Sequence, residues 1–376
     1  MKIAILVGPK DNKYVSTWND TIPISKNRPW LTKVPLKDRR DEGGRLTLKG
    51  GWVRIDEANA WAFKHYCKGH EVSIIRISQT SYKKLDGFDF IIWHWVDMLV
   101  EPRIKKFESG GVPMLKLHKL YAKLGSKMYP PLKWADTIYD KCRYYEYLNK
   151  KKLPIGETQC IEKRNFVKNP SKSVKELKER FTWTGPTFAK PASGTDSLDI
   201  GVPNSISTNR KMIQYVRNTF KNPNYSKIVF QKYYSDFEVT VPQMRTYWVG
   251  KSFKYAILED TTGKGIVVRP RMALVGKYKR HFKTAFKIAR EALKTIQKDF
   301  FGKMPLLLTR VDFGCCLREG NFDDLFINEI EFNPGLYLYK LGETAAGKYT
   351  GKRPLFEVDL AKQMCKAVKK YEKLNK

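Results

Sequence analysis

Acidic side chains, histidine and long apolar runs are all scarce in this 376-residue chain. Asp and Glu number 38 against 71 Lys and Arg, giving a formal net charge of +33. The excess is spread along the chain, so it acts as a global field that favours polyanions and not as a detachable arm. Nucleotides, acidic small molecules or peptides, and nucleic acid are the partners this predicts; the bland alternative is a solvated lysine-rich surface. The five histidines show no ligand spacing. Cysteine occurs at 67, 142, 160, 315, 316 and 365 with no C-x-x-C pair, which argues against structural zinc and a disulfide framework and for a reducing compartment. No run approaches the roughly 18 apolar residues of a membrane span, and the opening run 3–7 is too short for a signal-peptide core. A soluble, cytoplasmic protein is expected. The chain also has no Walker P-loop, no Ser–His–Asp or Cys–His set, no internal repeat and no low-complexity tract.

What is present is a core. Hydrophobic residues make up 42% and aromatics 13%, which excludes a disordered basic tail. KIAILVG reads as a buried first strand, 57–68 as a helix, HEVSIIRI as a second strand and DGFDFIIWHW as a third. Together they predict an N-terminal parallel α/β unit over 1–135, with 10–51 as an inserted loop and 110–136 as an irregular connection. His94 ends the third strand, where open α/β sheets place ligands, but packing between its tryptophans is the better default. Beyond 136 the pattern predicts helices at 138–150, 171–181 and 209–220. Strands follow at IVFQKYY and within 237–258, a helix near 285–296, two strands at 305–317 and 325–333, and a closing helix near 357–372.

The sharpest signal is the pair LLLTRVDFGCCL and LFINEIEFNPG. Alternation puts Arg310 and Asp312 on one face, and Glu329, Glu331 and Asn333 on one face of the other run. A hairpin turn between Asn321 and Phe322 would set Asp312 opposite Glu331 and Arg310 opposite Asn333. Opposed carboxylates repel, and a bound cation is the simplest compensation. Asp312, Glu331 and Asn333 are hard oxygen donors, so magnesium or manganese is expected over zinc. Lys190 stands at a strand end before a loop of small residues that lets backbone amides approach phosphate.

An α/β opening unit, Asp-Lys at a helix start, Lys-Pro with a small-residue loop, an apolar strand, and then RVDF with NEIEFNPG resemble the ATP-grasp superfamily. The last two strands look like those of D-alanine–D-alanine ligase and RimK-like ligases. The resemblance spans about residues 86–340. It implies α+β architecture in two ATP-grasp parts, 136–230 and 231–376, and ATP with Mg2+ (or Mn2+) as cofactors. By the same resemblance Lys141 and Lys190 would contact ATP phosphates under a mobile loop containing Gly194. Gln231, Lys232, Tyr233 and Tyr234 would line the adenine pocket, and Glu238, with Asp236 as its rival, would hold the ribose. Asp312, Glu331 and Asn333 would bind the metal, and Arg245 and Arg310 would face the transferring phosphate. The implied activity is a carboxylate–amine ligase working through an acyl phosphate. A kinase of a polyanionic small molecule, and a basic nucleic-acid-binding or packaging protein with a vestigial ATP site, stay open beside it.

Overall fold

The computed structural model describes residues 1–8, 21–41, 47, 49–94, 114–193, 199–223, 225–234, 243–259, 265–268, 273, 279–315, 325–332 and 356–375. In chain order the first elements are β1 (Lys2–Val7), β2 (Thr21–Pro23), β3 (Trp52–Arg54), α1 (Ile55–Tyr66), β4 (Glu71–Arg76) and α2 (Tyr82–Leu85). They continue with β5 (Phe90–Trp93), α3 (Met114–Leu124), β6 (Met128–Tyr129) and α4 (Leu132–Ile138). The four strands β4-β1-β5-β6 form a parallel sheet. Ile3 to Val7 are buried without interruption, as a strand covered on both faces requires.

Two expectations for this part are corrected. Within 10–51, β2 pairs antiparallel with β3, and Trp30, Leu31 and Val34 are buried between turns. Within 110–136, α3, α4 and β6 replace the irregular connection, and β6 completes the sheet. These pieces are two to a dozen residues long, too short for periodicity to declare them; tertiary burial holds them.

The chain continues with α5 (Lys141–Lys150), β7 (Thr158–Glu162), α6 (Lys163–Lys168), α7 (Pro170–Arg180), β8 (Thr187–Pro191), α8 (Asn209–Thr219) and β9 (Lys227–Lys232). The strands form an antiparallel sheet in the order β7-β9-β8. Ile161, Phe166, Val174, Leu177, Val216 and Phe230 join this sheet to its helices in one core.

A five-stranded antiparallel sheet, β12-β11-β10-β13-β14, follows. Its strands are β10 (Gln243–Val249), β11 (Ser252–Glu259), β12 (Gly265–Val268), β13 (Leu308–Cys315) and β14 (Leu325–Glu331). Between β12 and β13 runs α9 (Lys279–Ile296), whose buried residues Phe282, Ala285, Ala289, Ala292, Leu293 and Ile296 recur at helical spacing. The closing helix α10 (Phe356–Asn375) packs against α1. Among the described residues no helix is long and apolar enough to cross a membrane.

The cysteines also correct their reading. Cys67 is bonded to Cys365, and Cys142 to Cys160, with Cα atoms 5.2 and 6.2 Å apart. The first bridge joins partners 298 positions apart because α10 returns onto α1. Spacing carries no trace of such a pairing, and the argument for a reducing compartment loses its basis.

Candidate active site

Antiparallel pairing of β10, β13 and β14 arranges six side chains as a grid on one sheet face. Arg245, Asp312 and Glu329 make one row, and Tyr247, Arg310 and Glu331 the next. The ladder therefore differs from the expected pairing by two residues: Asp312 faces Glu329 and not Glu331, and Arg310 faces Glu331 and not Asn333. A two-residue slip keeps every side chain on its face, so the hydrophobic pattern does not resist it. A bulge between Asp312 and Phe313 shifts the register further along.

Arg310 fixes this grid. Its Nε donates to Asp312 Oδ1 at 2.8 Å and its Nη2 to Asp312 Oδ2 at 2.7 Å, and Nη2 also donates to Glu331 Oε1 at 2.6 Å. The guanidinium is thus committed to orienting two carboxylates through a bidentate fork. Burial pushes the Asp312 carboxyl above its ordinary value, with Arg310 pulling the other way. Burial also pushes Glu329 up, but Lys141, Lys190, Arg310 and Arg245 together hold it below its ordinary value.

Asp312, Glu329 and Glu331 each offer a carboxylate oxygen, all within 4.8 Å of one another. Three hard oxygens at that spacing fit a magnesium or manganese ion and not a thiophilic metal. Glu329 is absent from the expected set of Asp312, Glu331 and Asn333, yet its carboxylate lies in this cluster. Its signal was available, since it shares the strand face of Glu331.

The cationic side is built by a helix start. Asp140 caps α5, accepting from the backbone N–H groups of Cys142 and Arg143 at 3.1 and 3.2 Å, and it also accepts from Lys227 at 2.9 Å. The Lys141 backbone N–H donates to the Ala192 carbonyl at 3.0 Å, tying α5 to the end of β8 and so to Lys190. Lys141 Nζ lies 3.8 Å from Glu329. Lys190 Nζ donates to Tyr145 Oη at 3.4 Å, and Tyr145 in turn donates to the Asn328 carbonyl on β14 at 2.8 Å. Tyr145 was not foreseen; it links both lysines' elements to the carboxylate strand. Burial lowers the Lys190 ammonium below its ordinary value, with Glu329 opposing.

The end of β9 is aromatic. Tyr234 stacks on Phe326 with centroids 4.8 Å apart, and the Lys232 ammonium lies 4.1 Å over Trp183 and 4.8 Å over Tyr234. Phe326 lies directly over Gly314, whose missing Cβ makes room for the ring. The side-chain amide of Gln231 donates to Thr158 at 3.0 Å. The backbone N–H groups of Lys232 and Tyr233 donate to the carbonyls of Glu157 and Pro186, each at 2.9 Å. A cleft of about 930 Å³ opens here, lined by Tyr145, Gly156, Lys232, Tyr234 and the Cys142–Cys160 bridge. Asp312 and Lys190 are not part of its lining.

Lys141, Lys190, Arg245, Arg310, Asp312 and Glu331 are thus gathered around one sheet face, with Gln231, Lys232, Tyr233 and Tyr234 at the adjoining strand end. Gly194, Asp236, Glu238 and Asn333 lie outside the described residues. His94 is buried and hydrogen-bonded to Asn59 at 3.0 Å, in keeping with packing.

No protein-family model and no curated sequence matches the chain. Solved structures do. D-cycloserine synthetase aligns with a TM-score of 0.58 at 14% identity, covering 99% of each chain. A D-alanine–D-alanine ligase of Bacillus anthracis, solved in complex with ATP, aligns at 0.54 and 13% identity over 100% of both chains. The D-alanine–D-alanine ligase of Coxiella burnetii aligns at 0.54 and 14% identity, covering 100% of this chain and 97% of its own. At this identity the likeness establishes the fold alone: the mixed parallel and antiparallel α/β architecture is shared with these solved structures, in line with the fold the resemblance implied.

Proposed function

We propose that the chain is an ATP- and magnesium-dependent carboxylate–amine ligase that activates its carboxylate substrate as an acyl phosphate. The observation that carries the reading is the row Arg245–Asp312–Glu329, with Lys141 3.8 Å from Glu329 and Lys190 joined to the same strand through Tyr145. Cations next to hard oxygen donors suit a polyphosphate that arrives with a divalent ion. A magnesium ion held by Asp312, Glu329 and Glu331 would neutralise charge as the phosphoryl group moves.

The protein's share is positioning and charge. Lys141 and Lys190 hold phosphate oxygens, and Tyr145 keeps the Lys190 ammonium aimed along the carboxylate strand. Arg310 acts as a positioning residue, because its fork is spent on Asp312 and Glu331. Arg245, half-buried at the end of the carboxylate row, faces the transferring phosphoryl group. Tyr234, Phe326 and Lys232 supply an apolar and cationic seat for the adenine. Gly194 in a covering loop, Asp236 or Glu238 at the ribose and Asn333 as a further oxygen donor complete the assignment by resemblance. The net charge suits an acidic small molecule or peptide as the substrate. By the same resemblance, a loop over the site would keep water from competing with the amine for the acyl phosphate.

The test is phosphate release by the purified protein with Mg-ATP and panels of carboxylates and amines. A ligase releases phosphate when both classes are supplied and joins them. A stable phosphate left on one acceptor indicates a kinase instead, and a protein whose melting is indifferent to Mg-ATP overturns the reading.

A further inference from the structure

A second cleft lies at the far end of the same sheet. Val249 closes β10 four residues beyond Arg245, about 13 Å along the strand, and pairs with Leu308 where Arg245 pairs with Asp312. Gly250, at φ +59°, turns the chain into β11. This turn and the first three turns of α9 enclose a cleft of about 810 Å³, within the range of ligand sites. Lys251 comes from the turn, and Lys279, Lys283 and Arg290 from one stripe of α9. None of the described lining residues is acidic, and none of the four cations makes an ion pair with a described residue.

The floor is aromatic. Phe253 and Phe286 meet at 4.4 Å, and Phe253 is only half-buried, so part of its ring faces the cleft. The Arg290 guanidinium lies 5.6 Å from Phe286 and 5.9 Å from Trp248, a flat cation braced on rings. Lys279 and Lys283 are about 6 Å apart along the helix axis, and Lys283 and Arg290 about 10 Å. Exposed Lys287 and Lys294 extend the basic side of α9.

We infer that this cleft binds single-stranded nucleic acid, with phosphates tracked by the cations of α9 and Lys251 and a base laid on Phe253. A row of cations beside an accessible ring is the chemistry that holds unpaired strands. Base pairs in a duplex are stacked on each other and do not offer a face to such a ring. The net charge of +33 adds long-range attraction. The inference stands independently of the ligase reading, since no residue of the cleft belongs to the carboxylate grid.

The experiment is fluorescence anisotropy of the full chain with a labelled oligothymidylate of about 12 nucleotides, titrated in salt from about 50 to about 300 mM. Four neutralised phosphates give a log–log salt slope of roughly −3. Lys279→Glu with Lys283→Glu is expected to weaken binding at least tenfold at about 100 mM salt and flatten the slope, with melting temperature unchanged. The control pair Lys83→Glu with Lys84→Glu, on α2, carries the same charge change and is expected to leave affinity within about twofold. Phe253→Leu is expected to weaken binding several-fold without altering the slope. If the control pair weakens binding as much as the α9 pair, the charge acts diffusely and the site does not exist. If polyphosphate of matched charge binds as tightly as the oligonucleotide and Phe253→Leu changes neither, the cleft is a general anion surface and the nucleic-acid assignment fails.

Discussion

Asp312 and Glu329 face each other across the β13–β14 ladder, so the sheet holds two carboxylates side by side on one face. Such a pair persists because cations surround it: Arg310 grips Asp312, Lys141 lies 3.8 Å from Glu329, and the Lys190 charge also acts on Glu329. The arrangement has consequences that can be measured.

Glu329→Gln is expected to abolish metal-dependent turnover while the fold is retained. Loss of an outer-shell partner costs a metal site roughly 10–100-fold, and loss of a direct oxygen donor at least as much. Asp312→Asn is expected to do the same and also to lower stability, because it takes a charged partner from the buried Arg310. Thermal melting with and without magnesium separates the effects. Glu329→Gln with an undiminished magnesium-induced shift would remove Glu329 from the ligand set.

Asp140→Ala removes the α5 cap and the Lys227 partner together. Loss of a cap costs about 1 kcal/mol, and the loosened helix start carries Lys141 with it. Lower melting temperature and weaker Mg-ATP binding are expected. Asp140→Asn, which can still cap, is expected to recover most of the stability; circular dichroism melts and calorimetry read both.

Nucleotide affinity is expected to fall on the alkaline side sooner than an exposed lysine would dictate. Burial lowers the Lys190 ammonium below its ordinary 10.5, and phosphate binding needs the charged form. Affinity for Mg-ATP therefore declines as pH rises through the lowered value. Folding stability moves in the opposite sense, rising over that same window, because the unfolded chain holds this proton more tightly than the folded one. Lys190→Arg, charged throughout, is expected to abolish the alkaline decline; ATP dissociation constants measured across pH decide the matter.

Gly314→Ala places a methyl group against the Phe326 ring. That ring must move, and with it the Tyr234 face stacked on it. Weaker ATP binding with little change in the metal response is expected. Fluorescent-nucleotide titration beside a magnesium titration checks whether the two effects part.

Reduction is expected to lower the melting temperature in two steps of unequal size. By the loop-entropy account the 298-residue closure at Cys67–Cys365 stabilises by about 6 kcal/mol and the 18-residue closure at Cys142–Cys160 by roughly 3 kcal/mol. Paired Cys→Ser variants, melted with and without a thiol reductant, assign each step. Peptide mapping without reduction tests the connectivity directly.

The sequence alone determined which residues share a face. Alternation along a strand obliges Arg310 to lie with Asp312 and Glu329 with Glu331, wherever the strands go. It likewise determined the buried first strand, the apolar stripe of α9 and the Asp-Lys start of α5, because each is a local pattern with its own period or cap. Tertiary structure alone decided which carboxylate meets which. A slip of two residues costs no side chain its face, so register was left to the loop between the strands and to the bulge after Asp312. The same holds for Tyr145 bridging Lys190 to β14, and for Cys67 meeting Cys365: both join residues far apart in the chain, and contacts of that range arise only when whole elements pack.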